Sequence, residues 1–428
     1  MIDVLVDVLV IGGGPAGSAA ALRLAAMGCS VMLVERSLFP RPHVGESLSP
    51  GVWVHFETLG IARRIERAGF RRSSDTLLRW DGETRSVQAG RPSLIVDRAR
   101  FDALMPDVAR ESTEIAQPVF VEQASLRGDG WHVRLSDGRT VGARFLVDAS
   151  GRTNFSRRAR RFTAARLVAW HARWRTGHPP AETLVERLGD RWLWGTTLPD
   201  GTFSAMTFGG DSVPMLATLR DSTLFAWLAH IDPIEPPRAA NATPYVCESP
   251  IDDRSAAVGE AAFAIDPISS SGVQAALGSG IVAAVAINTI LNRTENRQAA
   301  IDFYSSHVAR ASAQHGMWAA ESYGGGHEAE GLPDVDDEAI LSANADAHVI
   351  VPTIRDHFIE LAPAIRTASG NDVAFLGGTA LPPIVASIHP RTPAHHLIEQ
   401  WSSAMGRDRA SAVLSWLVKH RAVLQERK

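Results

Sequence analysis

The sequence predicts an α/β (α+β) protein, and three observations carry that prediction. An apolar run at residues 6–11 leads through a glycine-rich turn into a helical stretch. A long strand-rich segment fills residues 166–245. Mixed α/β character then returns in "SAAVGEAAFAIDPISSSGVQAALGSGIVAAVAINTIL".

Taken in order, the first element is a βαβ opening. The apolar strand is followed by Gly12-Gly13-Gly14-Pro15-Ala16-Gly17, and "SAAALRLAAMG" then reads as a helix capped by Gly28. "SVMLVE" at 30–35 is the second strand. Gly12-x-Gly14-x-x-Gly17 between a strand and a helix makes a tight turn and lets backbone approach a pyrophosphate at the helix N-terminus. Glu35, ending the second strand, is placed to accept from a ribose. The reading is a Rossmann-like dinucleotide site built on Gly12, Gly14, Ala16, Gly17, Glu35 and Arg36.

The next stretch, "FPRPHVGESL" at 39–48, is neither strand nor helix. Two prolines exclude regular structure, and Arg41, His43, Glu46 and Ser47 bring polar heads that need partners. "SLIVDRARFDALMPDVAR" reads as strand then helix, and "WHVRLSDGRTVGARFLVDASG" as a hairpin turning at Asp137-Gly138 and ending in a buried strand. Strands in 166–245 include "LVAWHARW", "DRWLWGTTL" and "FSAMTFGG". The acidic, turn-rich "YGGGHEAEGLPDVDDEA" at 323–339 is the boundary candidate, and the amphipathic "ASAVLSWLVKHRAVLQ" lies beyond it. The expected division is a core over 1–330 and a small, mainly helical domain over 331–428. Within the core, nucleotide-binding parts would occupy 1–75, 98–165 and 246–330, and a substrate sheet 76–97 and 166–245.

Composition narrows the class. The 428 residues are 45% hydrophobic and 21% charged, enough to enclose a cofactor. A formal net charge of −4 and the lack of a polybasic run exclude a nucleic-acid partner. Cys29 and Cys247 are the two cysteines, with no CxxC, so neither a disulfide framework nor a metal site is expected. The N-terminus runs straight into a strand without a basic region or cleavage site, and the longest apolar run, at 279–291, suits a buried helix. A soluble, cytoplasmic protein with no membrane partner is expected. Lysine occurs at 419 and 428 alone.

Two further motifs decide the nucleotide. "ARFLVDASGR" ends a strand at Asp148 and turns through small residues. "AAVGEAAFAIDPISSSGVQAAL" sets Gly259-Glu260 at a strand end, then Asp266-Pro267, then Ser269-Ser270-Ser271-Gly272 opening a helix. Backbone N–H groups at such a helix start would face an electron-rich ring edge.

On these motifs, over roughly residues 4–325, the chain resembles the flavoprotein monooxygenases of the para-hydroxybenzoate hydroxylase/glutathione reductase fold type. Its branch is the one holding flavin-dependent halogenases and geranylgeranyl-reductase-like enzymes. The resemblance implies FAD. It lays Arg41, His43, Gly45, Glu46 and Ser47 along the cofactor and turns Arg98 of "VDRARFD" toward it. It also places Asp148, Gly259, Glu260, Asp266, Pro267, Ser270, Ser271 and Gly272 in FAD-binding motifs. That family usually has Asp where Glu260 stands.

The departures bear on chemistry. Tryptophan halogenases carry WxWxIP and an active-site lysine; this chain has Trp192-Leu193-Trp194-Gly195-Thr196-Thr197, and Ser73 at the aligned lysine position. Ser269 replaces their acid. Oxygen transfer from a flavin hydroperoxide to an aromatic ring then remains, with FAD reduced by NAD(P)H or by a separate reductase and O₂ as co-substrate. Trp192 and Trp194 alternate on one strand and would form the substrate pocket. His171 and Glu46 are the candidate catalytic residues, His171 as acceptor of the ring proton; sheet core and a structural histidine are the competing readings.

Within the branch the pattern resembles the flavoprotein maturases of quinone-cofactor amine oxidoreductases. That implies hydroxylation of a peptidyl tryptophan in the small γ subunit of a quinohemoprotein amine dehydrogenase, with other maturation proteins as further candidate partners. The alternatives are a small-molecule aromatic or indole hydroxylase, a geranylgeranyl-reductase-like flavin reductase, and a flavin-binding chaperone.

Overall fold

The structure, a computed structural model, describes residues 2–80, 82–128, 130–210, 214–324 and 332–426. The chain divides into two compact units: Met1–Asn292 with Tyr304–Gly325, and Arg293–Phe303 with Gly326–Lys428. Part of the stretch read as a boundary, 325–331, lies outside the described residues.

The larger unit opens as its pattern requires. Strand β1 (Val4–Ile11) leads into helix α1 (Pro15–Ala26), whose proline sits in the first turn where its missing N–H costs nothing. Strand β2 (Val31–Val34) returns parallel to β1, with Ile11 opposite Val34. There follow β3 (Ser47–Leu48), helices α2 (Val52–Thr58) and α3 (Ala62–Arg67), a long hairpin of β4 (Arg71–Trp80) and β5 (Glu83–Ile95), and helix α4 (Arg98–Ala109). Asp97 caps α4 by accepting from the Arg100 N–H. Strands β6 (Glu114–Ala116), β7 (Val121–Arg127), β8 (Gly130–Leu135) and β9 (Thr140–Asp148) complete the first half.

The second half runs through β10 (Arg160–Phe162), β11 (Val168–Trp174), β12 (Thr183–Leu188), β13 (Arg191–Thr197), β14 (Phe203–Gly209) and helix α5 (Met215–Asp221). It continues through β15 (Arg238–Asn241), β16 (Tyr245–Cys247), β17 (Ser255–Ala257), β18 (Phe263–Ala264) and the long helices α6 (Gly272–Asn292) and α7 (Arg297–Gly324).

Two sheets carry the site. The first has the order β6-β2-β1-β9-β8-β7, with β17 also paired to β9. Its β6, β2, β1, β9 and β17 are parallel neighbours, and β2 with the C-terminal halves of β1 and β9 reads as continuous apolar runs, because both faces are covered there. Helix α6 is long and apolar enough to cross a membrane by composition, yet 67% of its apolar window is buried in the protein. Its Gly280 explains the tight contact with α1: a Cβ there would stand 2.4 Å from the Ala16 carbonyl oxygen. The second sheet has the order β15-β11-β14-β13-β12-β4-β5-β3. One of its faces packs Trp174, Leu193, Phe203, Phe225 and Leu228 into a core. The other face turns to the cavity described below.

The smaller unit corrects one expectation. Residues 332–426 are not mainly helical. Ile340–Ala343 pairs with Thr392–Pro393 and Val423–Gln425, and His348–Arg355 forms a hairpin with Phe358–Arg366. Helices Ala394–Met405 and Arg407–Lys419 pack Leu397, Trp401, Leu414 and Leu417 against Leu341 and Ile365.

Candidate active site

A cavity of about 950 Å³ runs from the β1–α1 turn to the open face of the second sheet. The fingerprint glycines serve different ends within it. Gly12 has φ 109°, and a Cβ there would lie 2.4 Å from the Ala149 carbonyl oxygen. A Cβ on Gly17 would lie 1.9 Å from the Gly12 carbonyl oxygen, so these two are demanded by the backbone itself. Gly14 is not: the nearest atom to a Cβ there is Arg41 Nη2, 3.8 Å away. Its missing side chain leaves space at the start of α1, which has no side-chain cap.

That space suits an anion. The helix N-terminus points its free N–H groups into it, and Arg41 stands alongside with its buried Nε lacking a hydrogen-bond partner among the described residues. Glu35, only 5% exposed, accepts from the Gly13 N–H at 2.7 Å and the Ser37 N–H at 2.8 Å. It therefore locks the end of β2 to the glycine turn. Arg36 lines the same end.

The polar loop at 39–48 is built by partners far away in sequence. Arg98, 5% exposed, forms a two-pronged pair with buried Asp102 at 3.0 and 3.2 Å and donates to the Val44 carbonyl at 2.6 Å. Its guanidinium shapes the loop as well as bordering the cavity. His43 Nδ1 donates to the Val44 carbonyl at 2.9 Å, and burial, reinforced by the Arg98 charge, lowers its pKa below the usual imidazole value. A neutral ring with Nδ1 protonated leaves Nε2 as an acceptor. Fully buried Glu46 accepts from the Gly45 N–H at 3.0 Å, Ser204 Oγ at 3.2 Å and Arg173 Nη2 at 3.5 Å. It ties the loop to β11 and β14. Ser47 also borders the cavity.

The later motifs divide. Gly259, with φ 58°, and Glu260 line the cavity, and the Glu260 carboxylate accepts from Arg152 Nε at 3.0 Å. Pro267, Ser270 (φ 49°) and Gly272 line it too. Asp148 does not: its carboxylate accepts from the backbone and hydroxyls of Ser150 and Ser156 at 2.6 to 3.0 Å, which folds its own turn. The cavity wall there is Ser150, Gly151 and Arg152. Ser271 also stands outside the lining, its hydroxyl donating to the Ser269 carbonyl. Asp266 sits behind Pro267 and accepts from the Ile268 N–H and the Tyr323 hydroxyl. Burial raises its pKa above the usual carboxylate value.

The far end is apolar. Trp192 stacks on Phe208 at 3.9 Å and 12°, and Trp194 lies opposite Met206 on β14. All four line the cavity. His171 shares their face, opposite Met206, but its Nδ1 lies 3.2 Å from the Arg238 carbonyl and the residue is not in the lining. The structure does not bring it to the wall. Sequence reading missed Met206, Phe208, Arg173 and Tyr323. For Met206 and Phe208 a signal existed, the same two-residue alternation in "FSAMTFGG" that exposed the tryptophans. Tyr323, which accepts from Trp192 Nε1 at 3.0 Å, offered none.

The arrangement fits FAD. For a pyrophosphate there is an uncapped helix start beside Arg41, whose Nη2 is held by Asp102 at 4.0 Å and whose buried Nε has no hydrogen-bond partner among the described residues. An acid stands at the end of β2, and a long cleft is closed by the 265–272 turn. Comparison with known proteins agrees. Residues 7–192 match the family model for FAD dependent oxidoreductases. The tryptophan 2-halogenase of Chondromyces crocatus is 28% identical over 333 residues, which span 69% of this chain and 64% of the halogenase. The chain thus matches a little under two thirds of that relative's length. Among solved structures, the peptidyl tryptophan dihydroxylase QhpG, essential for tryptophylquinone cofactor biogenesis, superposes with a TM-score of 0.73 at 25% identity, over 97% of this chain and 99% of its own. The flavin-dependent halogenase CmlS gives 0.76 at 18% identity, covering 99% and 96%, a likeness of fold. This chain is a flavin-dependent enzyme with the fold of the FAD-dependent oxidoreductases, and FAD is its cofactor.

Proposed function

We propose that this enzyme is a monooxygenase that hydroxylates an aromatic ring, namely a tryptophan side chain held within a polypeptide. The observation that carries the reading is the apolar sheet face of Trp192, Trp194, Met206 and Phe208, which closes the same cavity that holds the nucleotide turn. An indole is flat and apolar, and such a face sandwiches it while excluding water. Bound FAD supplies the redox chemistry and the activation of O₂. The protein's own contribution is placement: Glu46 fixes the cofactor loop against the sheet, and the stacked Trp192–Phe208 pair offers a rigid floor. The full-length likeness to QhpG supports a peptidyl substrate, and with it the small subunit of an amine dehydrogenase as partner.

Halogenation is the second reading, favoured by the Chondromyces relative. Against it stands the amino-acid content: no lysine precedes position 419, and Ser73, at the aligned lysine position, lies on β4 opposite Ser93. One experiment separates the two. Enzyme, reduced FAD and O₂ are incubated with the isolated subunit or with free tryptophan, with and without bromide. A gain of about 16 or 32 Da on a subunit tryptophan, one or two oxygens, is the expected product. Free tryptophan is turned over poorly. Brominated tryptophan above the enzyme-free background, or efficient oxidation of free tryptophan beside an untouched subunit, overturns the reading.

A further inference from the structure

The second sheet ends at β15, whose residues Arg238, Ala239, Ala240 and Asn241 are all exposed and pair with β11 alone. The register fixes which way its backbone points. The Ala242 N–H donates to the Leu167 carbonyl at 2.9 Å, which makes that a hydrogen-bonded pair. Two residues on, Ala240 opposite Ala169 is the next such pair. In an antiparallel ladder the intervening residues turn their N–H and C=O the other way. Those of Ala239 and Asn241 therefore point off the edge of the sheet, and no backbone group among the described residues pairs with them.

This edge meets the cavity. Ala240 lies opposite Ala169, Ala169 opposite Phe208, and Phe208 opposite Trp192. Directly opposed residues share a face, and all four line the cavity. The floor is thus one transverse row of side chains that starts at Trp192 in the middle of the sheet and runs out to the open edge. Over its last two strands, a width of about 10 Å, the row holds only alanine. The other long outer strand, β5, contributes nothing to the cavity lining.

We propose that β15 docks an extended segment of the protein substrate, which adds as a further strand and delivers its aromatic side chain from the position opposite Ala240. This rests on the peptidyl-tryptophan reading above. The incoming residue would form a non-hydrogen-bonded pair with Ala240, the pairing that brings side chains closest. Its side chain would fall on the cavity face, over Ala240 and Ala169 and toward Phe208. The flanking residues of the segment would exchange hydrogen bonds with Ala239 and Asn241. Main-chain bonds give such docking its affinity, and the alternate side chains give it specificity. A free amino acid would have no use for an open edge.

The probe is a short blocked peptide with one central tryptophan, carrying a fluorescent label for anisotropy. Methylating the backbone nitrogens of the two residues flanking the tryptophan should weaken binding at least about tenfold. Methylating the tryptophan's own backbone nitrogen, which points away from β15, should change it little. Ala239→Pro removes an outward N–H without touching the bonds to β11, and should weaken binding of the unmodified peptide similarly while flavin absorbance is retained. Equal binding of all three peptides by the wild-type protein overturns the proposal, whatever becomes of the proline variant. So does a dimer that Ala239→Pro dissolves, since a second copy would then occupy the edge. Edge-dependent binding without oxidation by reduced FAD and O₂ supports the docking strand and sinks the monooxygenase reading instead.

Discussion

The indole N–H of Trp192 donates to the phenol oxygen of Tyr323 at 3.0 Å, and the Tyr323 hydroxyl reaches the Asp266 carboxylate at 3.1 Å. A residue at the end of α7 thereby joins the aromatic floor to the turn beside the cofactor cleft. Tyr323→Phe would leave the Trp192 N–H without an acceptor and take a donor from Asp266. The expected cost is about 1–3 kcal/mol in urea unfolding. Because Trp192 would lose its anchor, turnover of the aromatic substrate should fall with flavin content unchanged. Unaltered stability and turnover would show that water replaces the hydroxyl at no cost.

Asp266 makes the same network sensitive to pH. Burial raises its pKa, against the lowering by the Ile268 N–H and the Tyr323 hydroxyl. A carboxyl whose folded pKa exceeds its unfolded value binds more proton in the folded state. Its stabilising contribution is complete below the unfolded pKa and is lost as pH climbs through the folded one. Asp266→Asn removes that titration. The stability of the variant relative to wild type should therefore rise as pH goes from the ordinary carboxylate range toward neutrality. A difference that stays flat with pH, or that falls, contradicts the assignment.

What the sequence disclosed follows from the range of the interactions involved. The turn at 12–17 and its flanking strand and helix are local, and Gly17 is glycine for a contact with Gly12 in the same turn. Gly12 itself is demanded by Ala149, far along the chain, and was legible only through the spacing of the fingerprint. The Arg41–Ser47 loop was legible as a polar, proline-stiffened segment, but its builders Arg98 and Arg173 come from 54 and 127 residues away. Tyr323 meets Trp192 across 131 residues, with no local pattern to mark it. Asp148 looked available because its spacing matched a motif, whereas its own turn uses up its carboxylate. The hairpin of His348–Arg355 and Phe358–Arg366 was hidden by Pro352 and Pro363, which argue against strand from sequence alone.

The Arg98–Asp102 pair is the buried brace of the cofactor loop. Asp102 is fully buried and Arg98 nearly so, and their two hydrogen bonds leave the guanidinium free to hold the Val44 carbonyl. Asp102→Ala strands a buried charge, which costs about 3–5 kcal/mol. Protein that still folds should lose flavin on gel filtration, because Arg98 then keeps only its bonds to the Val44 and Gly45 carbonyls and loses the carboxylate that fixes its guanidinium. Full flavin retention together with a normal melting temperature would remove the brace from the argument.

Gly14 tests the cofactor assignment without disturbing the chain. Gly17→Ala should fail to fold its turn, since the new methyl would stand 1.9 Å from the Gly12 carbonyl oxygen. Gly14 has open space, with Arg41 Nη2 at 3.8 Å from a Cβ. Gly14→Glu should therefore fold, place its carboxylate beside Arg41, and exclude the pyrophosphate by charge and volume. The purified variant should be colourless, with a normal far-ultraviolet circular dichroism spectrum. A yellow, flavin-loaded Gly14→Glu protein would mean that the anion site lies elsewhere.

Glu46 separates placement from proton transfer. Its carboxylate is fully buried and accepts from Gly45, Ser204 and Arg173, so both oxygens are engaged before any substrate arrives. An acid–base role would require it to release one of those donors in the cavity, whereas a positioning role needs nothing to move. Glu46→Gln preserves the shape but turns an amide N–H₂ toward one of the donors, at a cost of about 1.5–3 kcal/mol. The expected result is weaker flavin retention and a lower melting temperature. Turnover of the flavin-loaded fraction should fall less than the factor of about 10²–10⁴ that removal of a general acid or base brings. If instead Glu46→Gln keeps its flavin and its stability and loses turnover by a factor in that range, Glu46 handles a proton and the positioning account of the loop fails.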